Sequence, residues 1–559
     1  MRSWIISYLI LIMSIAAFAQ NTTVDESFVI RKNRTLNLPI AERNYFLQTD
    51  KADFSGLVPP LKLTYDSVTF SAAVLPSITR LTIPKNTFKK PISPDIAQHM
   101  VWGSGGIRRF YDLGYQFINP IDQQRRIHLS AQAQSLGKGP TNDEFSNQNN
   151  QKVQLSILQP IQKINVQLNT IVDRTHFNFF GLPDSVYQER SNADSIISSS
   201  LFKINNSLTV ENRKTDLLTL GISLSHYLTK ASIMQTPSEY WISARISSKY
   251  QISKRLNLIY KPELDIINQS AIYEHNHLIT QHPIHSVFNF NQWNFSAGFN
   301  WVYVHLEDGR LTSETHTYFL PKVRISYAIS PLQSINFSVD GFAKANTYFD
   351  RSTDLLYLNY AFMDWKTEVT KSQWQIDYHQ TISNNHHISI YANYQNITNK
   401  AFLIASDLDS LSNIQNQLGT FSAIYDNGDL GHFQFNVAVN GRIQEKFFYD
   451  LQINFNQYFL VDLLEAYHLP VYSGQLGLTY KLNDKALINS SLNTSSGIIY
   501  YPDMAAGSII NWRINSQYQV NNKVNLLLTA NNILNQSNRR YYLYPTSPFL
   551  ISLGAIVRF

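Results

Sequence analysis

In the stretch FFYDLQINFNQ, Phe447, Tyr449, Leu451, Ile453 and Phe455 alternate with Phe448, Asp450, Gln452, Asn454 and Asn456. A repeat of two is an extended strand with unlike faces. The pattern returns in HFQFNVAVN, where Phe433, Phe435, Val437 and Val439 face away from Gln434, Asn436, Ala438 and Asn440. It returns again in KINVQLN and HHISIYANYQ. The polar face is what constrains the fold. A soluble sheet normally carries many Lys and Glu there, and these strands carry amides and hydroxyls instead. Charged residues are only 15% of the chain, against a usual quarter, while aromatic residues reach 13%. A wet lumen lined by amides, with lipid outside, suits that pattern better than a soluble sandwich. Asp450, Gln452 and Asn454 are then expected to face the lumen, and Leu451 and Ile453 the lipid.

The connections point the same way. Short turns recur after alternate strands, among them Val520–Lys523, Leu482–Lys485, Ser330–Ser334, Asn291–Trp293 and Pro160–Lys163. There are about ten of them, of hairpin length. Between them lie longer stretches rich in Ser, Asn, Asp and Tyr: Phe180–Ser200, Asn268–His282, Thr347–Trp365 and Asn532–Pro548. Short periplasmic turns and long extracellular loops are the asymmetry of outer-membrane barrels. The alternation predicts about 22 strands, starting at Val101–Ile107 and Phe110–Asn119 and ending at Phe549–Phe559. Gln417–Tyr425 also reads as extended, but counting it would make the total odd, so it belongs inside a long outer loop, Asn396–Gly431. The first strand then pairs with the last, and closure removes the edge that an unpaired terminal strand would expose. The fold class expected is all-β, a transmembrane antiparallel barrel.

The N-terminal stretch MRSWIISYLILIMSIAAFAQ has Arg2, an apolar run from Trp4 to Ala17, and small residues at Ala17 and Ala19 before Gln20. That is a secretory signal peptide over residues 1–19, cut between Ala19 and Gln20. Past it, no run of about 18 apolar residues reads as a membrane helix. The chain has no cysteine, which excludes thiol ligands, disulfides and lipoprotein acylation. Residues 20–98 hold seven prolines and read as an irregular periplasmic segment that could cover the lumen, with Leu36–Pro39 and Val58–Leu63 as apolar contacts. Residues 99–559 are the barrel. A formal charge of +6 predicts no nucleic-acid partner.

The run SQYQVNNKVNLLLTANNILNQSNRRYYLYPTSPFLISLGAIVRF resembles the C-terminal end of TonB-dependent-receptor-type barrels. There a penultimate strand runs into an Asn-Asn-Ile/Leu-x-Asn stretch, and a Tyr- and Pro-containing loop and a terminal aromatic strand follow. KGPTNDEFSNQNNQKVQLS, LEAYHLPVYSGQLGLTYKLNDKALINSSL and RTLNLPIAERNY are similar to a plug-lacking branch of that family found in Bacteroidota. The resemblance implies location in the outer membrane of a Gram-negative bacterium, with the N-terminus periplasmic. Lipid, lipopolysaccharide and the outer-membrane assembly machinery are implied partners, and Phe559 matches the terminal aromatic that this machinery reads. The parent family carries a plug of well over a hundred residues before its first strand. About eighty residues stand there in this chain, so no full plug is expected.

Candidate chemistry is sparse. In YEHNHLITQHPIH, Glu274, His275, His277, His282 and His285 lie close in sequence. His-x-His on a strand puts two imidazoles on one face, which could hold a divalent metal; a solvated outer loop is the simpler reading, and no metal or cofactor is assigned. Arg539 and Arg540 before Tyr541 and Tyr542 read as an interfacial basic–aromatic belt, or as groups facing lipopolysaccharide phosphates. No catalytic arrangement stands out, and no enzyme is expected. The expected function is passage of a solute through the lumen, with a partner as lid or gate. The alternative is a structural barrel that holds a surface lipoprotein or periplasmic partner without transport.

Overall fold

The structure, a computed structural model, describes residues 99–559 apart from 121–124, 193–196, 213–216, 233–236, 272–273, 309–311, 360–365, 384 and 406–418. The signal peptide with its cut at Ala19 and Gln20, and the Pro-rich segment of residues 20–98, lie outside the described residues.

The alternating stretches pair antiparallel, each with its sequence neighbour, into one sheet closed on itself. Leu256–Tyr260 and Glu263–Ser270 both lie between the same two neighbours, so together they form one strand broken at Lys261 and Pro262. The 23 segments of the sheet are therefore 22 staves. The first, His99–Gly106, pairs with the last, Leu550–Arg558, through Val101 opposite Val557 and Gly105 opposite Leu553. Phe559 extends the seam: its N–H donates to the His99 carbonyl and its carbonyl accepts from the His99 N–H, both at 3.0 Å. Its ring stacks on the His99 ring at 5.7 Å.

The connections sort by rim. Ile161 to Ile164, Phe290 to Trp293 and Ser330 to Gln333 are tight reversals. At the opposite rim, Asn178 leads to Ser198, Lys344 to Glu368, Thr398 to Asp429 and Asn531 to Leu550 through long excursions. Phe421–Tyr425 stands apart from the wall and pairs with Ala401–Ala405, as a small hairpin inside one of those excursions.

Outward faces are apolar and exposed: Ile453, Trp374 and Ile376 are each about half exposed. Interior faces carry linked amides. Gln395 donates to Gln373 at 3.2 Å, and Gln373 donates to Gln375 at 2.9 Å. His432 bridges Gln395 and Asn456, and Asn436 donates to Asn454. Asp450 and Gln452 share the face of Asn454, with Leu451 and Ile453 on the other. Polar groups linked in this way suit an interior open to water, since hydrocarbon could not satisfy them.

Two aromatic belts bound the apolar band. Near the short turns Trp293 packs on Tyr327 at 4.3 Å. Higher up, Phe299 stacks on Phe319 at 4.4 Å. Above Phe319 the outward face passes to Thr317 and Thr315, both exposed. Thr312–Ser330 has 19 residues, far more than a tilted span of about 9–11 needs. These staves stand well above the membrane.

That projection corrects one expectation. Asn268–His282 is not a long loop: Glu263–Ser270 and Glu274–Phe290 run through it, paired from Glu263 opposite Gln281 to Ser270 opposite Glu274. Its polar residues misled because they fall on both faces: Gln269, His275 and His277 are buried inward under other protein, while Asn268, Glu274 and Asn276 are exposed outward.

Candidate functional site: a closure built from the outer loops

The long outer loops do not stand out into solvent. Phe179, Phe180, Leu182 and Tyr187 come from one excursion, with Phe177 at the end of the strand that feeds it, and Tyr348, Leu355 and Leu358 from a second. Ala401 and Phe421 come from a third, and Tyr544 from the last. All belong to one buried core. These excursions leave the wall at widely separated staves, so they meet only by turning inward across the mouth. Burying several aromatic side chains, each removing roughly 150–250 Å² from water, is the force that holds them there.

The centre of that core is a stack. The Tyr357 and Tyr544 rings lie 3.7 Å apart at 17°, and Phe180 meets Tyr544 edge-on at 5.0 Å. The Tyr544 hydroxyl donates to the Gly419 carbonyl. Two glycines make the approach possible. A Cβ on Gly181 would lie 2.1 Å from the Tyr544 ring, and Gly419 has φ +81°, a left-handed conformation open to glycine. Backbone pairing joins two of the loops directly: the Phe421 N–H donates to the Tyr357 carbonyl at 2.9 Å, and the Asn359 N–H to the Phe421 carbonyl at 2.8 Å.

Polar tethers tie the closure to the wall. Glu239, almost wholly buried, accepts from the Tyr348 and Phe349 N–H groups at 2.6 and 2.9 Å, and from the Gln269 amide at 2.7 Å. Lys203 donates to the Phe349 carbonyl at 3.0 Å and to the Thr353 hydroxyl at 2.8 Å. Asp426 accepts three successive N–H groups, from Val461, Asp462 and Leu463. Among these loops His468 holds a fixed tautomer. Its Nδ1–H donates to the Leu403 carbonyl at 2.8 Å, while Nε2 accepts the Tyr542 N–H at 3.4 Å. Burial pushes its pKa down to about 4, against the weaker upward pull of the Leu403 carbonyl.

The histidine cluster divides. His275 and His277 are buried on the interior face, with His277 Nδ1 3.3 Å from the Thr367 hydroxyl of an inward-turned loop. His285 shares that face farther down the strand, and Glu274 is exposed on the other. His282 also points outward, into the upper aromatic belt, stacked between Tyr260 and Trp301. Among the described residues no group of three or more metal-ligating side chains comes together.

Arg539 and Arg540 are not part of a bilayer belt. Tyr541 packs against the closure core, and the Arg540 guanidinium lies over its ring at 5.2 Å. The loops' density of Phe and Tyr was the signal available for this closure, since solvated loops have no reason to carry it.

No family model matches the chain, and no curated protein matches it in sequence. Solved structures match its fold. The siderophore receptor PiuA from Acinetobacter baumannii aligns at a TM-score of 0.60 and 11% identity, over 82% of this chain and 81% of that one. The FrpB iron transporter from Neisseria meningitidis aligns at 0.63 and 8%, over 82% and 81%. The copper transporter OprC aligns at 0.62 and 9%, over 83% and 80%. At these identities the likeness is one of architecture: a closed antiparallel barrel of 22 strands.

Proposed function

We propose that this chain conducts a solute across the outer membrane and is closed at rest by its own outer loops. The carrying observation is the aromatic core of Tyr357, Tyr544, Phe180 and Phe421, assembled across the outer mouth above an amide-lined interior. A wall of this size encloses a wide lumen, and the inward loops supply an obstruction where a plug would otherwise be needed. Asp450, Gln452 and Asn454 would line the path beneath. A partner, such as a surface lipoprotein, would act by shifting the loops rather than by being the lid. The names of the structural neighbours, receptors and transporters of siderophores, iron and copper, support transport as the reading.

A structural barrel that holds partner proteins is the second reading. The depth of the core favours it, since Leu358 and Phe177 are as buried as residues of a fixed interior. Swelling of liposomes that carry the purified protein separates the two. Transport requires that a barrel with a loosened core, Tyr357→Ala with Tyr544→Ala, admit small sugars that the unaltered chain excludes. Exclusion by both proteins, each folded, would leave the structural reading standing.

A further inference from the structure

One sector of the interior wall is strongly basic. The register sets His285 opposite Gly298, and Gly298 opposite Lys322. On the other side, His285 stands opposite Ile259, which faces Lys249. One row inward, the Lys261 N–H donates to the Pro283 carbonyl at 3.1 Å, and Arg324 lies two residues along from Lys322 on the same face, opposite Ser296. Neighbouring staves are about 4.8 Å apart, so each of these residues stands within two staves of His285, with Lys249 and Lys322 on opposite sides of it. Gly298 lets the two staves approach closely, since a Cβ there would lie 2.5 Å from His285 Cα and Cβ, and it adds no side chain of its own to the sector.

The acids of this sector already have partners. Asp340 accepts from the Lys322 amine at 2.8 and 3.0 Å. Glu263 accepts from Arg245 at 2.6 Å, and Asp265 from the Trp241 indole at 2.9 Å. Among the described residues, Lys249, Lys261 and Arg324 enter no ion pair. His285 Nδ1 is buried without a hydrogen-bond partner. Like charges gathered in a partly desolvated wall repel, and an anion between them relieves that repulsion. Lipid headgroups, on the outer side of the barrel, do not reach this face.

We infer that Lys249, Lys261, Lys322 and Arg324, around His285, form an anion-binding station on the lumen wall, and that the solute conducted carries carboxylate or phosphate groups. The inference rests on the transport reading. The test uses the loosened barrel, Tyr357→Ala with Tyr544→Ala, in bilayers of neutral lipid, with inorganic tripolyphosphate as probe. Tripolyphosphate should block the current reversibly. Adding Lys261→Glu and Arg324→Glu should raise the half-blocking concentration at least about tenfold, as expected when two charges facing an anion are reversed. Lys261→Gln with Arg324→Gln should give an intermediate shift in protein that still shows heat-modifiable mobility. An open channel that tripolyphosphate leaves untouched, or blocks equally in all variants, overturns the station while transport stands. A loosened barrel that carries no current at all overturns both.

Discussion

Tyr357 and Tyr544 stack at 3.7 Å on loops rooted eight staves apart in the barrel wall. A contact of that span exists only if both loops lie across the mouth, so the pair reports directly on closure.

Removing one ring should therefore loosen the whole assembly. Tyr544→Ala deletes a buried aromatic side chain and should cost the loop core about 3–5 kcal/mol. Tyr544→Phe loses only the hydroxyl bond to the Gly419 carbonyl, about 1 kcal/mol. Limited proteolysis of the folded barrel should cut the outer loops faster in the Ala variant, with Phe close to the unaltered chain. Equal cutting of all three would mean the stack does not hold the loops.

Gly181 should be as sensitive as the ring it faces. A methyl group there would enter the Tyr544 ring, and Gly181→Ala should destabilise the closure by about 1–3 kcal/mol. The change should raise loop proteolysis without altering heat-modifiable mobility, because Gly181 lies in the Asn178-to-Ser198 excursion and not in the wall. A variant as resistant as the parent would show that the loops yield freely at this point.

In the wall, Ile453 and Gln452 are adjacent residues on opposite faces. Ile453→Arg should impair assembly by roughly 2–4 kcal/mol if near the midplane, and Gln452→Arg should be tolerated. Yields of folded protein in outer-membrane fractions measure this. Equal tolerance of both changes would contradict lipid on the Ile453 side and water on the Gln452 side.

The wall was legible because alternation in FFYDLQINFNQ and its relatives depends only on local chemistry, and turn lengths set the pairing order. The hairpin of Phe421–Tyr425 could be placed in a loop by parity alone. The closure was not legible, since Phe180, Tyr357, Phe421 and Tyr544 follow no period and meet through tertiary packing. For the same reason Asn268–His282 read as a loop: His275 and His277 are polar residues on a strand face covered by the loop that contains Thr367. The division of the five candidates between two faces, with His282 outward and His285 far below His277, follows from a register that the loop reading did not supply.

Acidification should weaken the closure through His468. Its imidazole is held neutral in the fold, with a pKa pushed to about 4 from an ordinary value of about 6.5. The stability it contributes is fully present above about pH 6.5 and is lost as pH falls toward 4. The amount is on the order of 3 kcal/mol, because the side chain is only 2% exposed. Loop proteolysis by an acid-tolerant protease should rise across that window, and His468→Gln should flatten the rise. A pH-independent rate in the unaltered chain would contradict the assignment.

At the seam, Phe559 closes the backbone pairing with His99 and stacks on its ring. We propose that it also carries the assembly signal. Its deletion should leave unfolded protein in the periplasm, seen as loss of the heat-modifiable band. Undiminished folded protein at the cell surface would make the residue dispensable.

Single-channel recording in planar bilayers tests closure by the chain's own loops most directly. The full-length protein should be silent, and the Tyr357→Ala, Tyr544→Ala barrel should open to steady, large conductance. A full-length protein that conducts steadily, or a loosened barrel that is folded and remains silent, would contradict the account.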